Sequence, residues 1–293
     1  MSNEASKFQD KFLDFQKRYL GEIETSVKYV YHYTSLNGLT GILNESSIWL
    51  SDNSLLTQIH EEIIPAKEKI LYILSQINFP DKSQNDILGE IKNYFMTNKL
   101  NCYISCFCKK SNLDNMWKKY ADNGTGACIE FDISKNDCRK FFTENAPHYF
   151  RLYNVIYNED KFEKQVEYLI NYFFYELYHE ATDKIKFRDY IYGFLLYVVY
   201  LYKKNSFGIE EEVRLFVDNH NAKAFDIQCR YSDEGMPVNY ISSCMCNEAC
   251  GNPTLPPIKR IFVRSEINID KVWFIVNKFD QNISVESVEN VAC

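Results

Sequence analysis

Glycine and proline are scarce in this 293-residue chain, at 10 and 7, which argues against long disordered linkers. Long hydrophobic runs are missing as well. The most apolar stretch, Tyr190 to Tyr202, falls short of the roughly 18 residues needed to cross a bilayer, so it reads as a buried helix and no membrane contact is expected. Ten cysteines are too few for a disulfide scaffold. Met1 to Lys17 is polar and charged, with no secretory pattern. Reduced thiols and a cytoplasmic location are therefore expected. Basic excess is absent too. The net charge is -7 and the pI about 5.4, where a broad phosphate-gripping face would make a chain basic. The balance suits a small molecule or a protein partner.

Several catalytic signatures are also lacking. There is no GxSxG, no Walker loop and no GxGxxG, and Gly124-Thr125-Gly126 precedes a strand rather than a helix, the wrong context for a dinucleotide. His179-Glu180 and His60-Glu61-Glu62 lack the second histidine of a zincin. Cys244, Cys246 and Cys250 offer three thiols in a loop. With no fourth ligand in paired spacing, no metal site is assigned.

What the chain does have is aromatic residues, 22 Tyr and 21 Phe. Phe8, Phe12, Phe15, Tyr19 and Leu20 recur at helical spacing within residues 4–27. Val27 to Tyr33 alternates as a strand, Ser35 opens a short helix, and Ile48 to Ser51 is a second strand. Two helices are expected over 55–98, broken near Asn78 to Asp81. Further strands are expected at 101–108, 127–133, 149–157, 211–218, 258–263 and 272–276. A short helix over 112–122 would be capped by Asn112 or Asp114, and two aromatic-rich helices fill 160–203, separated near Asp183. Residues 230–257 read as irregular, because Gly and Pro gather there. Helices of unequal size between strands, with no sustained βαβ period, indicate a single α+β domain. Its parts would be an N-terminal helix (1–27), a first half-core (28–158), a helical insertion (159–204) and a second half-core (205–293).

Three constellations could carry chemistry. Tyr31-His32-Tyr33-Thr34-Ser35 ends a strand just before a helix N-terminus, where donors and an aromatic ring would meet a backbone anion site; a histidine capping a loop is the plainer reading. Glu210, Glu212 and Arg214 would share one face of a strand and could hold a cationic transition state or a ribose hydroxyl, or merely form a surface ion pair. Ile104 to Cys108 places Ser105 among small polar positions, and Trp117 and Tyr120 share a helix face, either shaping a pocket or packing into the core.

In this order, the constellations resemble a bacterial family known as domain of unknown function 2971. Tyr31 to Ser35 with Gly41-Ile42-Leu43, Ile48 to Ser51, Ile104 to Phe107, Met116 to Tyr120, Gly126 to Phe131 and Glu210 to Arg214 carry the likeness, over about residues 28–265. The family's Asn-Asp-Pro element is replaced here by Ser51-Asp52-Asn53-Ser54. The opening His-Tyr-Thr also resembles the start of ADP-ribosyltransferases. That resemblance implies a mostly antiparallel split sheet flanked by helices and gripping NAD. His32 would bond the adenosine ribose and Thr34 would place the dinucleotide. Tyr33 or Trp49 would stack near nicotinamide, with Ser105 and Arg214 also in the cofactor site. Glu212 would stabilise the oxocarbenium-like transition state and Glu210 would orient the acceptor. A NAD-consuming transferase or glycohydrolase, as a toxin or phage-defence effector acting on a macromolecular acceptor, is the first expectation. The alternatives are a non-catalytic nucleotide- or protein-binding module on the same fold and, on the strength of Lys109-Lys110, Lys118-Lys119 and Lys203-Lys204, a nucleic-acid-processing enzyme.

Overall fold

The computed structural model describes residues 2–55, 57–133, 152–218, 226–231, 235–244, 257–264, 266–280 and 282–288. The chain forms two compact units, each assembled from three stretches. One comprises Met1–Glu24, Asn53–Cys102 and Asn154–Gly208; the other comprises Thr25–Asp52, Tyr103–Tyr153 and Ile209–Cys293.

The first unit is helical. It contains α1 (Ser2–Ile23), α3 (Thr57–Gln76), α4 (Lys82–Thr97), α6 (Glu159–Asn171) and α7 (Lys184–Leu201). Helix α1 buries Phe12, Phe15 and Tyr19 at intervals of three and four residues, the stripe that a 3.6-residue period demands. Phe15 meets Phe173 at 5.5 Å and Phe194 at 5.3 Å, both edge to face. Helix α7 is apolar from Tyr190 onward, where most of its residues are buried, and Asp183 starts it by accepting from Ile185 N and Lys186 N. The break expected near residue 80 is present, with Asp81 capping α4 through Ser83 N.

The second unit is α+β. Its sheet holds β1 (Tyr29–Thr34), β2 (Ser47–Asp52), β3 (Cys102–Cys108), β4 (Ala127–Asp132), β5 (Leu152–Asn154), β6 (Glu212–Asp218), β7 (Ile227–Tyr231), β8 (Pro237–Cys244), β9 (Ile258–Val263) and β10 (Ser284–Ser287). The path runs β10-β9-β4-β1-β3-β2-β8-β7, with β6 joining β3 and β5. Pairing is antiparallel along the path from β9 to β7 and parallel between β9 and β10. Strand β3 is a branch point: Cys108 pairs with Tyr31 of β1, Ile104 pairs with Ser51 of β2, and β6 is a third neighbour. The mostly antiparallel sheet with helices on it is thus as expected.

Two faces follow from strand alternation. On one, α2 (Leu36–Glu45) and α8 (Glu266–Val276) contribute Leu39, Ile42, Leu43, Val272 and Val276 to a core with Val30, Phe107, Ile129, Val213 and Leu215. On the other, α5 (Asp114–Tyr120) packs Met116 and Trp117 against Tyr33, Cys108, Cys128 and Phe262.

Four expectations are corrected. Residues 272–276 are the end of α8, not a strand; Val272 and Val276 lie one turn apart and bury together, which outweighs their β-branched preference. The stretch 230–257, read as irregular, contains β8 and the end of β7. Strand β10 was not expected. Helix α5 is preceded by Leu113, which makes no side-chain cap, rather than by a cap at Asn112 or Asp114.

Candidate functional site

Strand β1 sends its motif to both sides of the sheet. Tyr33 is buried on the α5 side. Its hydroxyl donates to Lys110 O at 2.8 Å and accepts from Leu113 N at 3.1 Å, and its ring meets Trp117 edge to face at 5.5 Å. Burial raises its pKa well above the usual phenol range. This residue straps the 110–113 loop to the sheet. Beside it, Tyr31 donates to Glu130 at 2.9 Å, and Arg260 makes two further bonds to that carboxylate.

His32 points the other way. It alternates with Val30 in the α2–α8 core, and its ring lies 5.5 Å from that of Phe107 in the same core. Its Nδ1 donates to Cys106 O at 2.9 Å, since a carbonyl can only accept. Desolvation lowers the imidazole pKa, partly offset by that bond. Ser105 shares this face by alternation, and its buried hydroxyl has no hydrogen-bond partner among the described residues. Thr34 sits where β1 turns into α2. A side chain on Gly38 would strike its hydroxyl, so glycine is needed for that close approach. Ser35 caps the helix by accepting from Gly38 N at 3.1 Å.

The acidic motif differs from the expected strand face. Strand β6 begins only at Glu212; Glu210 closes a 3-10 turn, and Glu211 between them adopts a left-handed backbone with φ 43°. Glu210 is therefore not in strand register with Glu212 and Arg214. Its carboxylate, itself buried, lies 3.8 Å from Lys119 on α5. Glu212 and Arg214 do share a face, and they are not on the surface. They are 3% and 1% exposed, and Arg214 grips the carboxylate with two bonds, Nε at 2.8 Å and Nη2 at 3.1 Å. The exposed Glu211 carboxylate pairs instead with Lys110.

The two motifs face opposite ways. Glu212 and Arg214 alternate with Val213 and Leu215, which join the core that contains Val30 and Phe107. His32 lies on that core's side, and Glu212, which alternates with Val213 and Leu215, lies on the opposite side.

Trp49 is the sequence-predicted residue whose surroundings look most like a ligand surface. Its ring is half-buried, lies 5.3 Å from Tyr240, and carries the Arg230 guanidinium 5.2 Å above it. Its Nε1 donates to Glu45. The Arg230 Nη2 donates to Ser51 at 3.1 Å, while its buried Nε has no partner among the described residues. Pairing of Ser51 with Tyr240, and of Trp49 with Ser242, places these side chains on one face. Arg230 and Tyr240 escaped sequence reasoning. Their signal was the alternation through 227–231 and 237–244, masked by the Gly235–Pro237 turn.

Cys246 and Cys250, and the side chain of Cys244, lie outside the described residues. Among the described residues, no three His, Cys, Asp or Glu side chains are grouped to hold a metal ion, and no helix is long and apolar enough to cross a membrane. Cys128 and Cys229 are free thiols, and burial pushes Cys128 well above the usual thiol range.

No curated protein and no solved structure matches the chain. Residues 116–215, from Met116 on α5 to the strand holding Glu212 and Arg214, are similar to a family described as "Protein of unknown function (DUF2971)".

Proposed function

We propose that the sheet unit is a non-catalytic module that binds a nucleotide-like ligand at Trp49 and Arg230. The observation that carries this reading is the indole–guanidinium stack, whose Arg230 Nε has no acceptor among the described residues. A planar base adds favourably to such a stack, and an anionic group supplies the missing acceptor. Exposure favours it as well, because Trp49 and its Glu45 partner lie at the surface.

The NAD-consuming reading needs His32 and Glu212 in one hollow with a carboxylate available to an oxocarbenium-like centre. Their opposite orientation weighs against an ADP-ribosyltransferase-like site. So does the bidentate Arg214, which already neutralises Glu212.

The test is titration with ADP-ribose, followed by tryptophan fluorescence, alongside an assay of nicotinamide release from NAD. Saturable binding that is lost in Arg230→Gln and Trp49→Leu, with no nicotinamide released, is the expected result. Nicotinamide release that Glu212→Gln abolishes would restore the transferase reading. A flat titration would remove the nucleotide module.

A further inference from the structure

The helical unit carries a groove of about 740 Å³ between α1 and the start of α6. Two of its wall residues hold polar atoms that no described residue satisfies. Tyr19 is 2% exposed, and its hydroxyl has no hydrogen-bond partner among the described residues; the buried Oε1 of Gln165 has none among them either. Buried polar groups are nearly always paired, so two orphans on one groove call for an explanation. Ligand hydroxyls would resolve them, one accepting from Tyr19 and one donating to Gln165 Oε1.

Charge defines the rest of the ligand. Arg18, Lys161 and Lys164 line the same groove, and none of them forms an ion pair among the described residues. Arg18 is held in place by donating to the Tyr168 hydroxyl at 2.9 Å and by lying 5.6 Å over the Tyr172 ring. Asn158, also on the wall, caps α6 by accepting from Lys161 N at 2.8 Å, so the positive end of that 13-residue helix belongs to the site. Glu22 and Asp160 complete the lining. They reduce the net charge of the groove to one positive unit and offer acceptors for additional hydroxyls, which favours a polyol phosphate over a bare phosphate ion.

We infer that this groove binds a small sugar phosphate, with the phosphate at Arg18, Lys161 and Lys164 and its hydroxyls at Tyr19 and Gln165. The ligand class combines one dianionic group, which three cations and a helix N-terminus attract, with several hydroxyls that both donate and accept. The inference is independent of the Trp49–Arg230 reading, because every residue it uses belongs to the helical unit.

Calorimetric titration in the Arg230→Gln background, which disables the proposed sheet site, tests it with ribose 5-phosphate, ribose and inorganic phosphate. Ribose 5-phosphate should bind more tightly than either fragment. The Lys161→Ala/Lys164→Ala variant should lose at least about tenfold in affinity for it, the scale of a lost charge-assisted hydrogen bond. Tyr19→Phe should weaken ribose 5-phosphate about tenfold and leave inorganic phosphate unchanged. It should not lower the melting temperature of the free protein, because that hydroxyl has no partner among the described residues to lose. Absence of heat at millimolar ribose 5-phosphate, equal affinity for ribose 5-phosphate and inorganic phosphate, or indifference to both substitutions would overturn the inference. A lower melting temperature for free Tyr19→Phe would do the same, by revealing a structural hydrogen bond.

Discussion

Replacing Glu212 by alanine should destabilise the sheet unit by about 3–5 kcal/mol, the usual consequence of removing one partner from a buried ion pair. The estimate follows from the surroundings of Arg214. Its guanidinium is 1% exposed and gives two bonds to Glu212, at 2.8 Å and 3.1 Å. Each charge-assisted bond is worth about 1.5–3 kcal/mol, and a guanidinium that is 1% exposed cannot replace them with bonds to water. Glu211→Ala, one residue away, is the internal control. Its pair with Lys110 is exposed, with side-chain exposures of 54% and 37%, so its loss should cost no more than about 1 kcal/mol. Glu212→Gln keeps an acceptor and should fall between the two. Urea unfolding, read as a shift in midpoint at constant slope, measures all three. If Glu212→Ala costs no more than Glu211→Ala, the carboxylate is not committed to Arg214. The main structural objection to a reactive Glu212 would then disappear.

Two other outcomes are accessible to the same measurement. His32 has a folded-state pKa below its unfolded value because burial disfavours the imidazolium. Its contribution is therefore complete above about pH 6.5 and is lost as pH falls through the lower folded value. Wild type should lose stability between pH 7 and 5 more steeply than His32→Asn, by at most about 1.4 kcal/mol per pH unit; parallel profiles would refute the burial argument. Ser46 ends α2 in a left-handed backbone, φ 49°, with its N–H bonded to Ile42 O and Leu43 O. Ser46→Gly should raise stability by up to about 1 kcal/mol, because glycine carries no Cβ penalty there; an unchanged or lower unfolding midpoint would show that the cap is relaxed.

Local periodicity was enough to locate α1, α2, the α3–α4 break and β3, and Ser35 and Asp183 act as the caps their positions imply. Where burial outweighed propensity, sequence reading failed. In α8 the exposed Trp273 and Phe274 interrupt the buried positions Val272 and Val276, and the run of branched residues imitates a strand. The partners of Trp49 were hidden for another reason: Arg230 and Tyr240 are some 180 to 190 positions away in sequence and meet it only through the β2–β8–β7 register.

The sequence by itself determined that His32-Tyr33-Thr34 ends a strand before a capped helix and that Glu212 and Arg214 share a face, because alternation and capping are set by neighbours a few residues apart. Whether His32 and Glu212 share a hollow was decided by tertiary structure alone. A strand shows which residues alternate but not which side meets the core, and here Val30 and Val213 take the same core, sending His32 inward with it and Glu212 to the opposite face. The left-handed turn at Glu211, which detaches Glu210 from the strand, was equally beyond a local reading, since a non-glycine residue in that conformation is held there only by the surrounding fold.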